Sequence, residues 1–113
     1  MNRFSLGVPV LIALAMLLAS CGTTRINRVL ADPARYRSND VQIQGRVTNV
    51  IGALNTGVYE VDDGTGTIYV LSSRGIPNKG AHVKVTGNVQ QGVNLMGHSF
   101  GTVVRERSHR VRF

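Results

Sequence analysis

Few residues in this 113-residue chain could do acid–base or metal chemistry. Asp62 and Asp63 are adjacent and precede a glycine, but a calcium site needs about six to eight oxygen ligands. Only one further acid, Glu60, lies close to them in sequence. Aspartates beside a glycine also form tight turns, because their carboxylates accept hydrogen bonds from nearby backbone amides. We therefore interpret the pair as the turn of a hairpin and predict no metal site.

Histidines and glutamates give no stronger sign of catalysis. His82, His98 and His109 have no spacing typical of a metal site. Glu60 and Glu106 are the only glutamates, and nothing in the sequence pairs them as a general acid and base. We predict that the protein is not an enzyme and uses no cofactor. A histidine-held metal or haem group is the alternative, which titration would test.

Cys21 is the only cysteine and follows a short apolar segment. Arg3 precedes an uncharged stretch over Leu6–Met16, in the order of an export signal. That stretch is shorter than the about 20 apolar residues of a membrane-spanning helix. Leu18, Ala19, Ser20 and Cys21 resemble the lipobox of bacterial lipoproteins.

The lipobox resemblance implies a compartment. Residues 1–20 would be a removed signal peptide, Cys21 would carry lipid, and residues 21–24 would form the anchor and spacer. Gly22 is not the aspartate that retains enteric lipoproteins at the inner membrane. The expectation is an exported, palmitate-bearing lipoprotein on the periplasmic side of the outer membrane, or otherwise on the cell membrane.

The charge balance is strongly basic. The chain carries 13 Lys and Arg against 6 Asp and Glu, a formal net charge of +7, and loses one positive charge with Arg3. Such a surface attracts polyanions. Membrane lipid, lipopolysaccharide or an envelope protein are the expected partners, and the compartment disfavours nucleic acid.

The mature chain changes its period near residue 40. Thr24–Ala31 predicts a short helix capped by Thr24, with an apolar stripe of Ile26, Val29 and Leu30. From Val41 the apolar residues alternate as in a strand, and Gly45 within it suggests a bulge or bend. The predicted strands cover Val41–Thr48, Val58–Asp62, Thr67–Ser72, Ala81–Gln90 and Thr102–Arg112, with loops at Ile51–Gly57 and Gln91–Gly101.

These strands carry a family resemblance. The segments Val41–Val47, Tyr59–Val70, Pro77–Gly80 and Val83–Val89 resemble an oligonucleotide/oligosaccharide-binding fold (OB-fold) of the tRNA-anticodon and replication-protein-A type. The resemblance implies an all-β chain with one short N-terminal helix, in which 25–37 is the lead-in and 38–113 a five-stranded closed or partly open Greek-key barrel.

Five residues are the candidate ligand contacts. The resemblance places Arg46, Tyr69 and Lys84 on the outer surface of the barrel, with Tyr69 as a stacking platform. Arg105 and Arg107 belong to the densest basic stretch, which could bind lipid phosphates or simply keep an edge strand in solution. We expect a non-catalytic binding or scaffold domain in the envelope. The alternative is single-stranded nucleic-acid or oligosaccharide binding by the OB face.

Overall fold

The computed structural model describes residues 22–53, 56–95 and 97–112. One short helix and a short 3₁₀ segment lead into five strands. The helix and strands are α1 (Ile26–Ala31), β1 (Val41–Ala53), β2 (Thr56–Asp62), β3 (Thr67–Ser72), β4 (His82–Leu95) and β5 (His98–Arg112), and the 3₁₀ segment is Pro33–Tyr36.

The strands close into a barrel in the order β1-β2-β3-β5-β4. All neighbours are antiparallel except β3 and β5, which run parallel. Closure depends on β1, which pairs with β4 along its first half and with β2 along its second half. Arg46 is the crossing point, because it pairs with both His82 and Asp62. The expected five-stranded barrel with one short helix is confirmed.

Alternating residues fill the barrel. Tyr59, Ile68 and Val70 are buried there, as the sequence predicted. The helix closes one end, since Ile26 and Val29 belong to the same core while Leu30 is 40% exposed. The inner core comprises Ile26, Val29, Val41, Ile43, Val47, Tyr59, Val61, Ile68, Val70, Val83, Val85, Val89 and Val104.

The predicted cap of the helix was wrong. Arg25 occupies the N-cap position and makes no side-chain capping bond. The Thr24 N–H instead donates to the carbonyl oxygen of Gln42 at 2.7 Å. The helix is capped from the β2–β3 turn, because the Ile26 N–H donates to Asp63 Oδ2 at 2.9 Å. A residue distant in sequence therefore satisfies one of the free amides of the helix start.

Both predicted loops beside the barrel are largely strand. β1 and β2 extend to Ala53 and Thr56, and residues 54–55 between them lie outside the described residues. β4 and β5 form one long hairpin, in which the register shifts near Val93. Gly92 and Gly101 have φ of 69° and 67°, so glycines that suggested a loop instead serve irregular positions within the hairpin.

Gly45 does not carry the bulge of β1. The register shift lies between Val47 and Asn49, while Gly45 pairs regularly with Val83. A Cβ at Gly45 would collide with the backbone of Asp62. Glycine is thus required by the close approach of β2 where β1 changes partner.

Candidate ligand-binding faces

The five candidate residues do not form one site. Tyr69 and Arg105 lie on the wall formed by β2, β3 and β5. Arg105 pairs across the strands with Leu71, which is two residues after Tyr69 on β3. Arg46 and Lys84 lie on the wall formed by β1 and β4. Arg107 is held by Asp40, with Nε 3.0 Å from Oδ2. The structure therefore presents two separate surfaces.

The first surface is a small apolar cluster outside the barrel, which we call the outer cluster. Its buried centre is Val58, Leu71 and Val103. Ile51, Tyr69, Val93 and Phe100 pack around that centre. The long β1–β2 and β4–β5 hairpins supply Ile51, Val93 and Phe100, so they flank the cluster as two arms.

Tyr69 is half-buried in this cluster rather than fully exposed. Its ring meets that of Phe100 edge to face, with centroids 5.0 Å apart and planes at 64°. Phe100 is also half-buried. Phe100 was not among the predicted contacts, because the glycine-rich sequence around it predicted a loop. Gly101 interrupts the strand alternation between Phe100 and Val103. The sequence pattern therefore does not place the two side chains on the same face.

Charges around the outer cluster are balanced. Glu60 pairs directly with Tyr69 across β2 and β3, and its Oε1 accepts a 2.7 Å hydrogen bond from the Thr48 hydroxyl. Arg105 is exposed and donates from Nε to Gln90 Oε1 at 3.3 Å. The surface thus offers two partly buried aromatic rings, one guanidinium and one carboxylate.

A polar network lies buried beneath the barrel wall, and we call it the Glu106 network. The Glu106 side chain has no exposed area. Tyr59 donates its hydroxyl to Glu106 Oε1 at 2.5 Å, and the Ser72 hydroxyl lies 2.9 Å from Oε2. His109 Nδ1 is 2.8 Å from the same Oε2, although the atoms are not aligned as a hydrogen bond.

The Glu106 network does not have the order of a nucleophilic relay. In such a relay the histidine stands between the hydroxyl and the acid. Here both Ser72 and His109 contact the acid, and Ser72 is only 4% exposed. Burial, followed by the hydrogen bond and charge of Glu106, raises the pKa of Tyr59 far above its ordinary value. Tyr59 therefore remains a neutral hydrogen-bond donor.

The paired aspartates form a turn, as the sequence predicted. Asp62 Oδ1 accepts from the Gly64 N–H at 2.7 Å, and Asp63 Oδ1 accepts from the Thr65 N–H at 2.8 Å. Partial burial raises the pKa of Asp63, but hydrogen bonds from Thr65, Ile26 and Gly66 outweigh it and hold that pKa below its usual value.

Two further properties concern only the described part of the chain. It contains no group of three His, Cys, Asp or Glu side chains that could hold a metal ion. None of its helices has the length and apolar character needed to cross a membrane. Cys21, the predicted signal peptide and the side chain of His98 lie outside the described residues.

Comparison with known proteins identifies the fold. No protein-family model and no curated protein matches the chain. A chain in the crystal structure of the S. pombe Stn1-Ten1 complex is similar, with a TM-score of 0.52 and 20% sequence identity. The match covers 65% of this chain and 57% of that chain, so this chain spans less than two thirds of its relative. The fold is an OB-fold. The outer cluster occupies the β2–β3 surface on which OB-folds bind linear ligands.

Proposed function

We propose that this protein is a non-catalytic binding protein that takes a linear ligand, an oligosaccharide or a single-stranded nucleic acid, across its outer cluster. The observation that carries the proposal is the partly exposed Tyr69–Phe100 pair beside the buried centre of the outer cluster, where Phe100 belongs to the β4–β5 arm. The apolar C–H faces of sugar rings and the flat faces of bases both stack on aromatic side chains, and each stacked base contributes about 1–3 kcal/mol.

The local charge favours an oligosaccharide. Nucleic-acid binding draws most of its affinity from cations that replace counterions along the phosphates. Arg105 is balanced on this wall by Glu60, which pairs with Tyr69. A ligand held here depends on stacking and hydrogen bonds, which suit neutral sugars better than a chain of phosphates.

Binding of the full chain to neutral oligosaccharides and to mixed-sequence single-stranded DNA would test this function. Tyr69→Ala removes the stacking ring and should weaken binding about tenfold or more, whereas the matched Tyr69→Phe keeps the ring and should retain it. Isothermal titration at two salt concentrations provides the affinities. For oligosaccharide we expect almost no salt dependence.

Two results would count against this assignment. Equal affinity of Tyr69→Ala and Tyr69→Phe would remove the outer cluster from binding. A steep loss of affinity with salt that survives Arg105→Gln would show that phosphates are bound elsewhere, because removing one phosphate contact reduces the salt slope by about one.

A second proposal concerns the anchor. We propose that Cys21 is lipidated and that the domain is held at a bacterial envelope membrane. Supporting it are the lipobox-like Leu18–Cys21 segment, the preceding apolar stretch and the absence of any other cysteine. Lipid on Cys21 would give durable anchoring, since each buried CH₂ contributes about 0.8 kcal/mol.

Processing of the chain in a bacterial host tests the anchor. Globomycin, which blocks lipoprotein signal peptidase, should cause the precursor to accumulate, and Cys21→Ser should abolish lipid labelling. Ser20→Ala is the matched control, because it keeps a small residue beside the cleavage point. Normal processing and membrane fractionation of Cys21→Ser would refute the anchor.

A further inference from the structure

Four of the twelve described Lys and Arg residues lie together on the wall opposite the outer cluster. There, outward residues of β1, β4 and β5 form three cross-strand rows, which we call the basic face. The rows are Arg46–His82–Arg112, Gln44–Lys84–Arg110 and Gln42–Thr86–Ser108.

Four cations share the basic face, and its three rows contain no acidic residue. Arg46, Arg110 and Arg112 are exposed, and Lys84 is half-buried at the centre. Neighbouring side chains are in contact across the strands. Arg46 Nη2 lies 3.4 Å from His82 Nε2, and Arg112 Nη1 donates to Gln44 Oε1 at 3.4 Å.

Two carboxylates lie at the rim of this face, so the face and its rim together hold four cations and two acids. Asp62 and Asp63 line an open cavity of about 540 Å³ together with Arg46, His82 and Arg112. Both carboxylates already accept hydrogen bonds within the β2–β3 turn, and Asp63 also caps the helix. No ion pair in the described residues joins either of them to a cation of the basic face.

The start of the described chain lies beside the basic face. The Thr24 N–H donates to the Gln42 carbonyl oxygen, in the first half of β1, which pairs with β4 but not with β2. A side chain at Gly22 would be in contact with Gln42 Oε1, at 3.6 Å. Gln42 is itself part of the third row, through its 3.5 Å contact with Thr86. The residue directly after Cys21 therefore lies at one end of the basic face.

We propose that the basic face docks onto an anionic phospholipid bilayer, with the β1–β4–β5 wall towards the headgroups. This inference rests on the proposed lipidation of Cys21, because the lipid brings the adjoining wall to the membrane surface. Docking in this orientation directs the outer cluster on the opposite wall away from the bilayer, where a soluble ligand can reach it.

The position of Gly22 favours a membrane over nucleic acid as the occupant. A basic residue close to an anionic membrane contributes about 1 kcal/mol, and four such residues act together here. Nucleic acid would meet the same charges, but the three rows contain no Tyr, Trp or Phe side chain for bases to stack on, and only one imidazole, that of His82. The position of Gly22 would bring a lipid on Cys21 close to the basic face, and this argument applies only to a membrane.

Acetylation of Lys84 gives a direct readout, because the chain has only one other lysine, Lys79. The lipidated full chain would be reconstituted in vesicles of phosphatidylcholine alone or mixed with phosphatidylglycerol. Acetylation by a soluble ester would then be followed by mass spectrometry. Lys84 should react at least about fivefold more slowly on the anionic vesicles, which corresponds to the contribution of one basic residue.

Matched charge variants separate the basic face from net charge. The triple variant Arg46→Gln, Arg110→Gln and Arg112→Gln should abolish the protection of Lys84, since it weakens docking about a hundredfold. Arg28→Gln, Arg35→Gln and Arg74→Gln remove the same charge from exposed positions elsewhere and should preserve it. Equal loss in both variants would overturn the proposal.

The remaining outcomes are also decisive. Protection of Lys84 by single-stranded DNA in detergent, without protection on anionic vesicles, would assign the face to nucleic acid instead. A processed, lipidated chain whose Lys84 reacts equally on both vesicles would refute docking while leaving the anchor intact. A chain that is neither processed nor lipidated would refute the anchor, and docking with it.

Discussion

Glu106 lies at the centre of the buried polar network. Its carboxylate accepts a hydrogen bond from the Tyr59 hydroxyl and lies beside Ser72 and His109. The Glu106 side chain has no exposed area. Glu106→Leu leaves the buried Tyr59 hydroxyl without its acceptor, whereas Ser72 still donates to the Gly75 carbonyl oxygen at 2.8 Å, so the free energy of unfolding should fall by about 1–3 kcal/mol. Urea unfolding measures the change. Glu60→Gln, at a half-buried position with one side-chain bond, should lower it by less than about 1 kcal/mol.

Asp63 links the helix to the barrel and should make stability depend on acid pH. Its folded pKa is lowered from 3.8, so its contribution is present above that value and is lost as pH falls through the lower folded pKa. Asp63→Ala should cost about 1 kcal/mol at neutral pH, a typical value for a lost helix cap. In Asp63→Asn, the acid-induced loss of stability below about pH 4 should be smaller. An unchanged acid profile of Asp63→Asn would refute this coupling.

At the scale of elements, the sequence correctly predicted the strands whose signals lie within a few neighbouring residues. Thr67–Ser72 was predicted and observed as a strand, because alternating residues between turn signals define it fully. The β4–β5 hairpin was missed beyond Gln90, since positive-φ glycines occur there within paired strands. The pairing of Glu106 with Tyr59 spans 47 residues, and the separation of the basic face from the outer cluster depends on strand order. Neither has a local signature.

The crossing of β1 from β4 to β2 gives a test at this scale. Gly45→Ala should lower the free energy of unfolding by about 1–3 kcal/mol, because the added methyl must displace the β2 backbone at Asp62. Gly66→Ala is the matched control. Its Cβ would lie 3.5 Å from Ile26 and Leu30, an ordinary contact, and its effect should stay below about 1 kcal/mol. Equal destabilisation by both changes would contradict the role assigned to the crossing.

At the scale of the whole molecule, the charges through which we propose that the basic face docks also oppose stability. Lys84 and Arg110 are directly opposed across β4 and β5, and like charges at such positions repel. Arg110→Thr should therefore raise the free energy of unfolding by about 0.2–1 kcal/mol while it weakens docking to anionic vesicles. Added salt should stabilise the unaltered protein more than the variant, because it screens the same repulsion. Arg107→Gln removes an equal charge but breaks the ion pair with Asp40, so it should not stabilise. Urea unfolding at low and high salt would give the free energies of unfolding of the unaltered protein and the two variants. If Arg110→Thr is no more stable than Arg107→Gln, the basic face carries no electrostatic strain.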